Sequence, residues 1–216
     1  MLNKEEMFSE LAEKYDFLNN IISFKTHKLV KKLALSKLKI KTNSKVLDLC
    51  CGTGDLGQII KEKNPSCEII GVDFSEDMIN IAKQKNPNLK YIKENATNLP
   101  FQENSFDYIV IGFGLRNIEQ KEKALEEMHR ILRKDGEILH LDFCSEFIFK
   151  RIYDFYISFI TRFFSKNISH YEYLINSKNS FYSTKELISL FKNKNFKVVH
   201  SQKLCFGAIA FQILKK

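Results

Sequence analysis

The 216-residue sequence predicts an α/β fold, a largely parallel sheet with helices on both faces. Three observations predict it. Short apolar runs alternate with amphipathic segments along most of the chain, the pattern of strands joined by crossover helices. The first apolar run ends directly in a glycine-rich turn. Six of the eight glycines fall between positions 52 and 114, so tight turns or close approaches concentrate there.

The elements follow in order. The first 40 residues read as two helices, one with Met7, Leu11, Phe17/Leu18 and Ile21/Ile22 on its apolar face, the other with Leu29, Leu33 and Leu38. Residues 44–50 (SKVLDLC) form a buried strand. Residues 55–63 are helical and stop at Asn64-Pro65. CEIIGV (67–72) is a second strand, and Ser75 caps a helix that runs to residue 85. LKYIK (89–93) and FDYIVIG (106–112) are strands. Asn117 caps a helix with Gln120 in the capping-box position, its face carried by Ala124, Leu125, Met128, Ile131 and Leu132, and Gly136 stops it. EILHLDF (137–143) is a fifth strand. A helix from Thr184 to about Lys194 precedes strands near 196–201 and 206–214.

Composition bounds the function. Hydrophobic residues make up 44% and charged residues 28%, which excludes disorder and fibrous repeats. The net charge of +8 suits an anionic partner, yet only five of the 34 basic residues are Arg, and Asn, Ile and Phe are abundant, the mix that an AT-rich coding bias produces. Five cysteines without a CxxC pattern argue for a reducing compartment, and the location expected is cytoplasmic. No apolar stretch is long and uncharged enough to span a membrane. No metal-ligand pattern is present.

Residues 52–57, GTGDLG, match GxGxxG, with Asp73 lying 19 residues past Gly54 at the end of the next strand, where a carboxylate takes ribose hydroxyls. Gly52, Thr53 and Gly54 form the loop. Asp48, four residues before Gly52, decides between cofactors. A carboxylate at the tip of the first strand would repel a dinucleotide pyrophosphate. It favours the ammonium and sulfonium of S-adenosyl-L-methionine. Asn95 and Ala96 follow the third strand, where an adenine edge would lie. Gly112 and Gly114 follow the fourth, beside the place for a transferable methyl.

These residues sit inside longer phrases: VLDLCCGTGDL (46–56), GVDFSEDM (71–78), ENATNLPFQENSFD (94–107), GFGLRN (112–117), KALEEMHRILRKDGEILHLDF (123–143), YEYL (171–174) and MFSELAEKYDFLNNIISF (7–24). In this order and spacing the chain resembles the demethylmenaquinone / 2-methoxy-6-polyprenyl-1,4-benzoquinol methyltransferase family of respiratory quinone synthesis. The resemblance implies a seven-stranded, mostly parallel, Rossmann-like sheet, the class I methyltransferase fold. It implies one domain over 1–216, with an N-terminal helical cap (1–42) and an aromatic lid-like insertion (145–180). It implies cofactor contacts at Thr53, Asp73, Asn95 and Ala96. The family usually has Ser at Gly112 and Glu at Asp142, and its C-terminal pattern ends in His where this chain has Gln212.

The implied reaction is C-methylation of a reduced polyprenyl quinone, either a demethylmenaquinol or a benzoquinol. Arg116 and Asn117 are candidates for handling a phenolate: Arg stays charged, so it stabilises rather than accepts a proton. Tyr15, Tyr171 and Tyr173 are candidates for hydrogen bonds to ring oxygens, and His170 for a base. Residues 147–164 hold eight Phe/Tyr in eighteen positions, interrupted by Lys150, Arg151, Asp154 and Arg162. They read either as a core helix or as a lid that takes a prenyl tail and touches a membrane surface, a contact peripheral to the inner membrane. No nucleic-acid partner is expected, and a homodimer is left open. Competing readings are another small-molecule class I methyltransferase, an NAD-dependent oxidoreductase, an RNA methyltransferase and a non-catalytic S-adenosylmethionine-binding protein.

Overall fold

The computed structural model describes residues 20, 23, 26–145, 149, 154–155 and 181–216. Tyr15, His170, Tyr171, Tyr173, the first predicted helix and nearly all of the aromatic segment lie outside them. The described elements are α1 (His27–Leu35), β1 (Lys45–Leu49), α2 (Asp55–Lys63), β2 (Glu68–Asp73), α3 (Glu76–Lys85), β3 (Lys90–Lys93), β4 (Phe106–Gly112), α4 (Lys121–Ile131), β5 (Leu132–Phe143), α5 (Thr184–Asn193), β6 (Lys197–Leu204) and β7 (Ile209–Lys215). Short 3₁₀ turns occupy Leu115–Asn117 and Cys205–Gly207.

The seven strands form one sheet in the order β3-β2-β1-β4-β5-β7-β6. β7 alone runs against its neighbours. Alternation along each strand sorts side chains to two faces. Leu47, Leu49, Ile109, Ile111 and Ile138 pack with α4 and α5 on one face. Val46, Ile69, Val110, Leu139 and Leu141 pack with α1 and α2 on the other. The strand order reverses between β1 and β4, which opens a crevice at the carboxyl edge of the sheet, where ligands of such sheets bind.

Three local expectations are corrected. In α1 the buried face is His27, Val30, Ala34 and Leu35, while Leu29 and Leu33 are exposed. Leucine spacing alone picked the wrong stripe: the small Ala34 is what lets the helix approach the sheet. Asn117 does not cap α4. It ends the 3₁₀ turn, and the helix starts four residues later behind Gln120. Gly136 does not stop α4 either. The helix ends at Ile131, and Arg133–Gly136 form an outward bulge between the Phe106–Leu132 and Tyr108–Glu137 pairs of β4 and β5. The Ser75 cap stands as expected, its hydroxyl accepting from Met78 N–H; α5 opens in a capping box of Ser183 with Glu186, which the sequence reading did not name. Among the described residues no helix is long and apolar enough to cross a membrane.

Candidate active site

A cleft of about 250 Å³ opens at the carboxyl edge, walled by Cys50 and Gly52 after β1, Asp73 and Phe74 after β2, Asn95 and Ala96 after β3, and Gly112–Gly114 after β4. Met78 of α3 and the stretch Asn117–Gln120 complete it. The turn after β1 is held by backbone conformation. Cys50, Gly52 and Gly54 all have left-handed φ, at 54°, 54° and 83°. A Cβ at Gly54 would meet the Tyr91 hydroxyl at 2.5 Å, so that position must be glycine on space as well.

Asp73 is the polar centre of the cleft. Its Oδ2 accepts the Gly52 N–H at 2.8 Å and its Oδ1 accepts the Ser75 N–H at 3.1 Å. With the Phe74 N–H as a third donor, a carboxylate of about four acceptor sites keeps one for a ligand. Burial raises its pKa, against the N–H groups of Ser75, Gly52 and Phe74. A carboxylate so aimed and so short of water has a strong demand for a further donor, and a hydroxyl of a ribose meets it. Asn95 folds its Oδ1 onto the N–H and hydroxyl of Thr97, at 3.0 and 2.9 Å. That turn places buried Ala96 on the wall, where a small side chain makes room for a flat base. Gly112 and Gly114 are on the wall as well. A Cβ at Gly114 would collide with Cys50 Cβ at 2.5 Å, whereas one at Gly112 would meet the yielding tip of Leu56, Cδ1 at 2.6 Å. The cradle therefore fits a nucleoside-bearing group, with the backbone near Gly112 left bare for it.

Asp48, Thr53, Gly54 and Arg116 are not on that wall. Asp48 lies beneath the loop, 1% exposed, with Oδ2 accepting the Gly57 N–H at 2.8 Å and Oδ1 without a partner among the described residues. Burial lifts its pKa from 3.8 to about 7, against the Gly57 N–H and Lys31. The sequence argument placed a full negative charge beside the ligand. Instead a carboxyl whose ionisation burial opposes braces the start of α2 from behind, and Gly57 is the residue small enough to meet it, with a Cβ there only 3.2 Å from Oδ2. Thr53 is buried and its hydroxyl accepts from Lys85 Nζ at 3.1 Å. Lys85 and Lys31 both reach Asp55, at 3.0 and 2.9 Å. Burial opposes ionisation of Asp55, but the two ammonium groups outweigh it and hold the carboxyl well below its usual range.

Arg116 turns inward. Its Nη1 donates to Asp142 Oδ1 at 2.7 Å and to the Phe113 carbonyl at 2.6 Å, and its guanidinium lies 5.1 Å from the Phe143 ring centre. Asp142 also accepts from the Arg116 and Phe143 N–H groups, at 3.3 and 2.8 Å. The pair ties the cleft-lining segment Phe113–Asn117 to the end of β5. Asn117 reaches the wall, and its Nδ2 also lies 3.4 Å from the Phe113 carbonyl. Sequence reasoning missed Asp55, Lys85, Asp142 and the wall residues Phe74, Met78 and Ile118. Only the ionic partners had a signal, an acidic residue within the glycine loop.

Residues 3–216 match the model of the ubiE/COQ5 methyltransferase family. A protein named demethylmenaquinone methyltransferase, from Staphylococcus aureus (strain JH9), is 37% identical over 224 residues, covering 98% of this chain and 93% of its own. Among solved structures, a SAM-dependent methyltransferase from Thermotoga maritima superposes with a TM-score of 0.73 at 23% identity, over 98% of this chain and 99% of that one. An S-adenosyl-L-methionine-dependent methyltransferase from Methanococcus maripaludis does so at 0.69 and 20% identity, over 100% and 96%. These two likenesses speak to the fold.

Proposed function

The chain belongs to the ubiE/COQ5 methyltransferase family, and from that premise we propose that it methylates a ring carbon of a reduced polyprenyl quinone in respiratory quinone synthesis. It is a methyltransferase with S-adenosylmethionine as methyl donor. Bound in the cleft, that cofactor supplies an electrophilic methyl group on a positively charged sulfur. The observation that carries the reading is the convergence of Asp73, the Asn95–Ala96 turn and Gly112–Gly114 on one cleft at the carboxyl edge of the sheet. In this reading Asp73 holds the ribose, Asn95 and Ala96 take the base edge, and bare backbone at Gly112 admits the reacting end.

A hydroquinone carbon beside a phenolate is a good nucleophile, whereas an oxidised ring is not, so the substrate is the reduced form. Asn117, on the cleft wall, orients a ring hydroxyl. Arg116 acts at one remove, by fixing Phe113–Asn117 through Asp142. Tyr15 and Tyr171 complete the proposed set of groups that handle the ring oxygens. The name of the Staphylococcus aureus relative favours a naphthoquinol over a benzoquinol. One domain over 1–216 carries the activity, with the cap 1–42 and the insertion 145–180 closing over the substrate. The polyprenyl tail brings the enzyme into transient contact with a membrane surface from the cytoplasmic side.

The test is transfer of labelled methyl from S-adenosylmethionine to chemically reduced demethylmenaquinone and to a demethylated benzoquinone of the same tail length. Incorporation into the naphthoquinol ring, absent when the quinone is left oxidised, is the expected result. No incorporation into either quinol would overturn the proposal.

A further inference from the structure

The short connection between β6 and β7 is built at a cost that the fold does not explain. Cys205, Phe206 and Gly207 take left-handed φ in succession, at 50°, 56° and 86°. For glycine this is free, but for a bulky aromatic it is rare and strained, and such strain gathers at functional positions. The strained residue is also wasted as a core residue, because Phe206 is 73% exposed. A polar or glycine residue would serve the turn better on both counts.

The tip has a defined place. β7 runs antiparallel to β5, with Ile209 opposite Phe143, and the Cys144 N–H bonds the Ala208 carbonyl at 3.0 Å. The turn therefore sits at the same edge of the sheet as the cofactor cleft. There the Phe206 ring meets Phe149 edge-on, with centroids 5.6 Å apart. Phe149 is half-exposed and Phe155 is more so. Basic residues outnumber acidic ones beside these rings in sequence: Lys150 and Arg151 follow Phe149 and Lys203 precedes Phe206, against Glu146 before Phe149 and Asp154 before Phe155.

We infer that the β6–β7 tip, led by Phe206 and backed by Phe149, is a wedge that enters the hydrocarbon edge of an anionic lipid bilayer and seats the cleft against it. A turn that projects a single ring outward suits a surface it can penetrate, whereas a prenyl tail held in solution needs a concave wall. Aromatic rings with basic neighbours match the interface of an anionic bilayer. The inference rests on the proposed lipid-tailed substrate, which lives in that bilayer.

The experiment is sedimentation of the full chain with vesicles of phosphatidylcholine containing phosphatidylglycerol, for wild type, Phe206→Gly and Phe206→Ser. Taking one phenyl ring out of hydrocarbon weakens partition by about ten- to hundredfold. Phe206→Gly is expected to lose that much binding while its melting temperature stays level or rises, since glycine relieves the left-handed strain. Methyl transfer to a short-tailed, water-soluble quinol is expected to match wild type in both variants. Unchanged partition in both variants would overturn the wedge. So would a wild-type dimer that Phe206→Ser dissociates, which would give the tip to a second copy. Unchanged partition with lost preference for long-tailed quinol in detergent would give it to the tail instead. Failure of the functional reading looks different: no quinol is methylated, yet vesicle binding still depends on Phe206.

Discussion

Asp48 shows how burial changes what an acidic residue can do. The sequence marks it as an acidic residue at a strand tip before a glycine loop, and that is where it lies. Its role turns on burial, which no sequence spacing reports. With its pKa lifted to about 7 from 3.8, the folded protein holds a proton that the unfolded chain releases. Between those two values the folded state binds more protons, so stability falls as pH rises and levels off above about 7. The contribution reaches at most about 4 kcal/mol for a shift of this size. Asp48→Asn keeps the acceptor for the Gly57 N–H and removes the titration. Guanidinium denaturation at pH 5 and pH 8 is expected to show wild type losing more stability between the two than the variant. Equal losses would mean that Asp48 ionises normally in the fold.

At the scale of elements, the decisive link joins the 3₁₀ turn Leu115–Asn117 to β5. The pair Arg116–Asp142 is almost wholly buried, at 6% and 0% side-chain exposure, and the Arg116 Nε has no partner among the described residues. A buried pair of this kind contributes little by existing and costs much when halved, because the survivor is stranded without water. Asp142→Ala is therefore expected to lower stability by about 3–5 kcal/mol. Because the pair anchors a wall of the cleft, the same change is expected to weaken cofactor binding, measured by calorimetry on protein still folded at low temperature. Lowered turnover with stability and cofactor affinity intact would return Arg116 to direct contact with the substrate. The elements themselves were legible wherever one signal dominated. β1, β2 and β4 are short apolar runs bounded by turn residues, and α3 and α5 carry Ser caps. The start of α4 was not legible, because Asn117 is a good cap by residue type, and only the 3₁₀ turn that it ends moves the start to Lys121, behind a Gln120 whose side chain makes no cap bond. The face of α1 was not legible for a similar reason, since Leu29 and Leu33 outweigh Ala34 in hydropathy but not in fit.

For the whole molecule, the site is a property of the sheet's carboxyl edge rather than of any one motif. Phe74, Met78 and Ile118 reach the cleft only because β1, β2 and β4 end side by side, so no linear pattern announces them. Asp73 and Gly112 were legible because they close β2 and β4, and Asn95 and Ala96 because they lie within three residues of the end of β3, all strand ends that the sequence marks. A ligand that spans the ends of four strands binds only when all are in register, so it stabilises the folded state and not the unfolded chain. At a free concentration about a hundred times the dissociation constant, that linkage is worth about 2.7 kcal/mol. For a domain of this size each kcal/mol moves the melting temperature by about 2–4 °C. S-adenosylhomocysteine, which keeps the nucleoside and lacks the methyl, is therefore expected to raise the melting temperature by roughly 5–10 °C. NAD at the same concentration is expected to leave it where it was. Asp73→Ala removes the carboxylate that the Gly52 and Ser75 N–H groups aim into the cleft, and with it about 1.5–3 kcal/mol of affinity. At unchanged ligand concentration the variant should then keep at most about half of the thermal shift, and recover the rest only when the ligand is raised by about one to two decades. A full shift in Asp73→Ala at the original concentration would place the nucleoside elsewhere on the molecule.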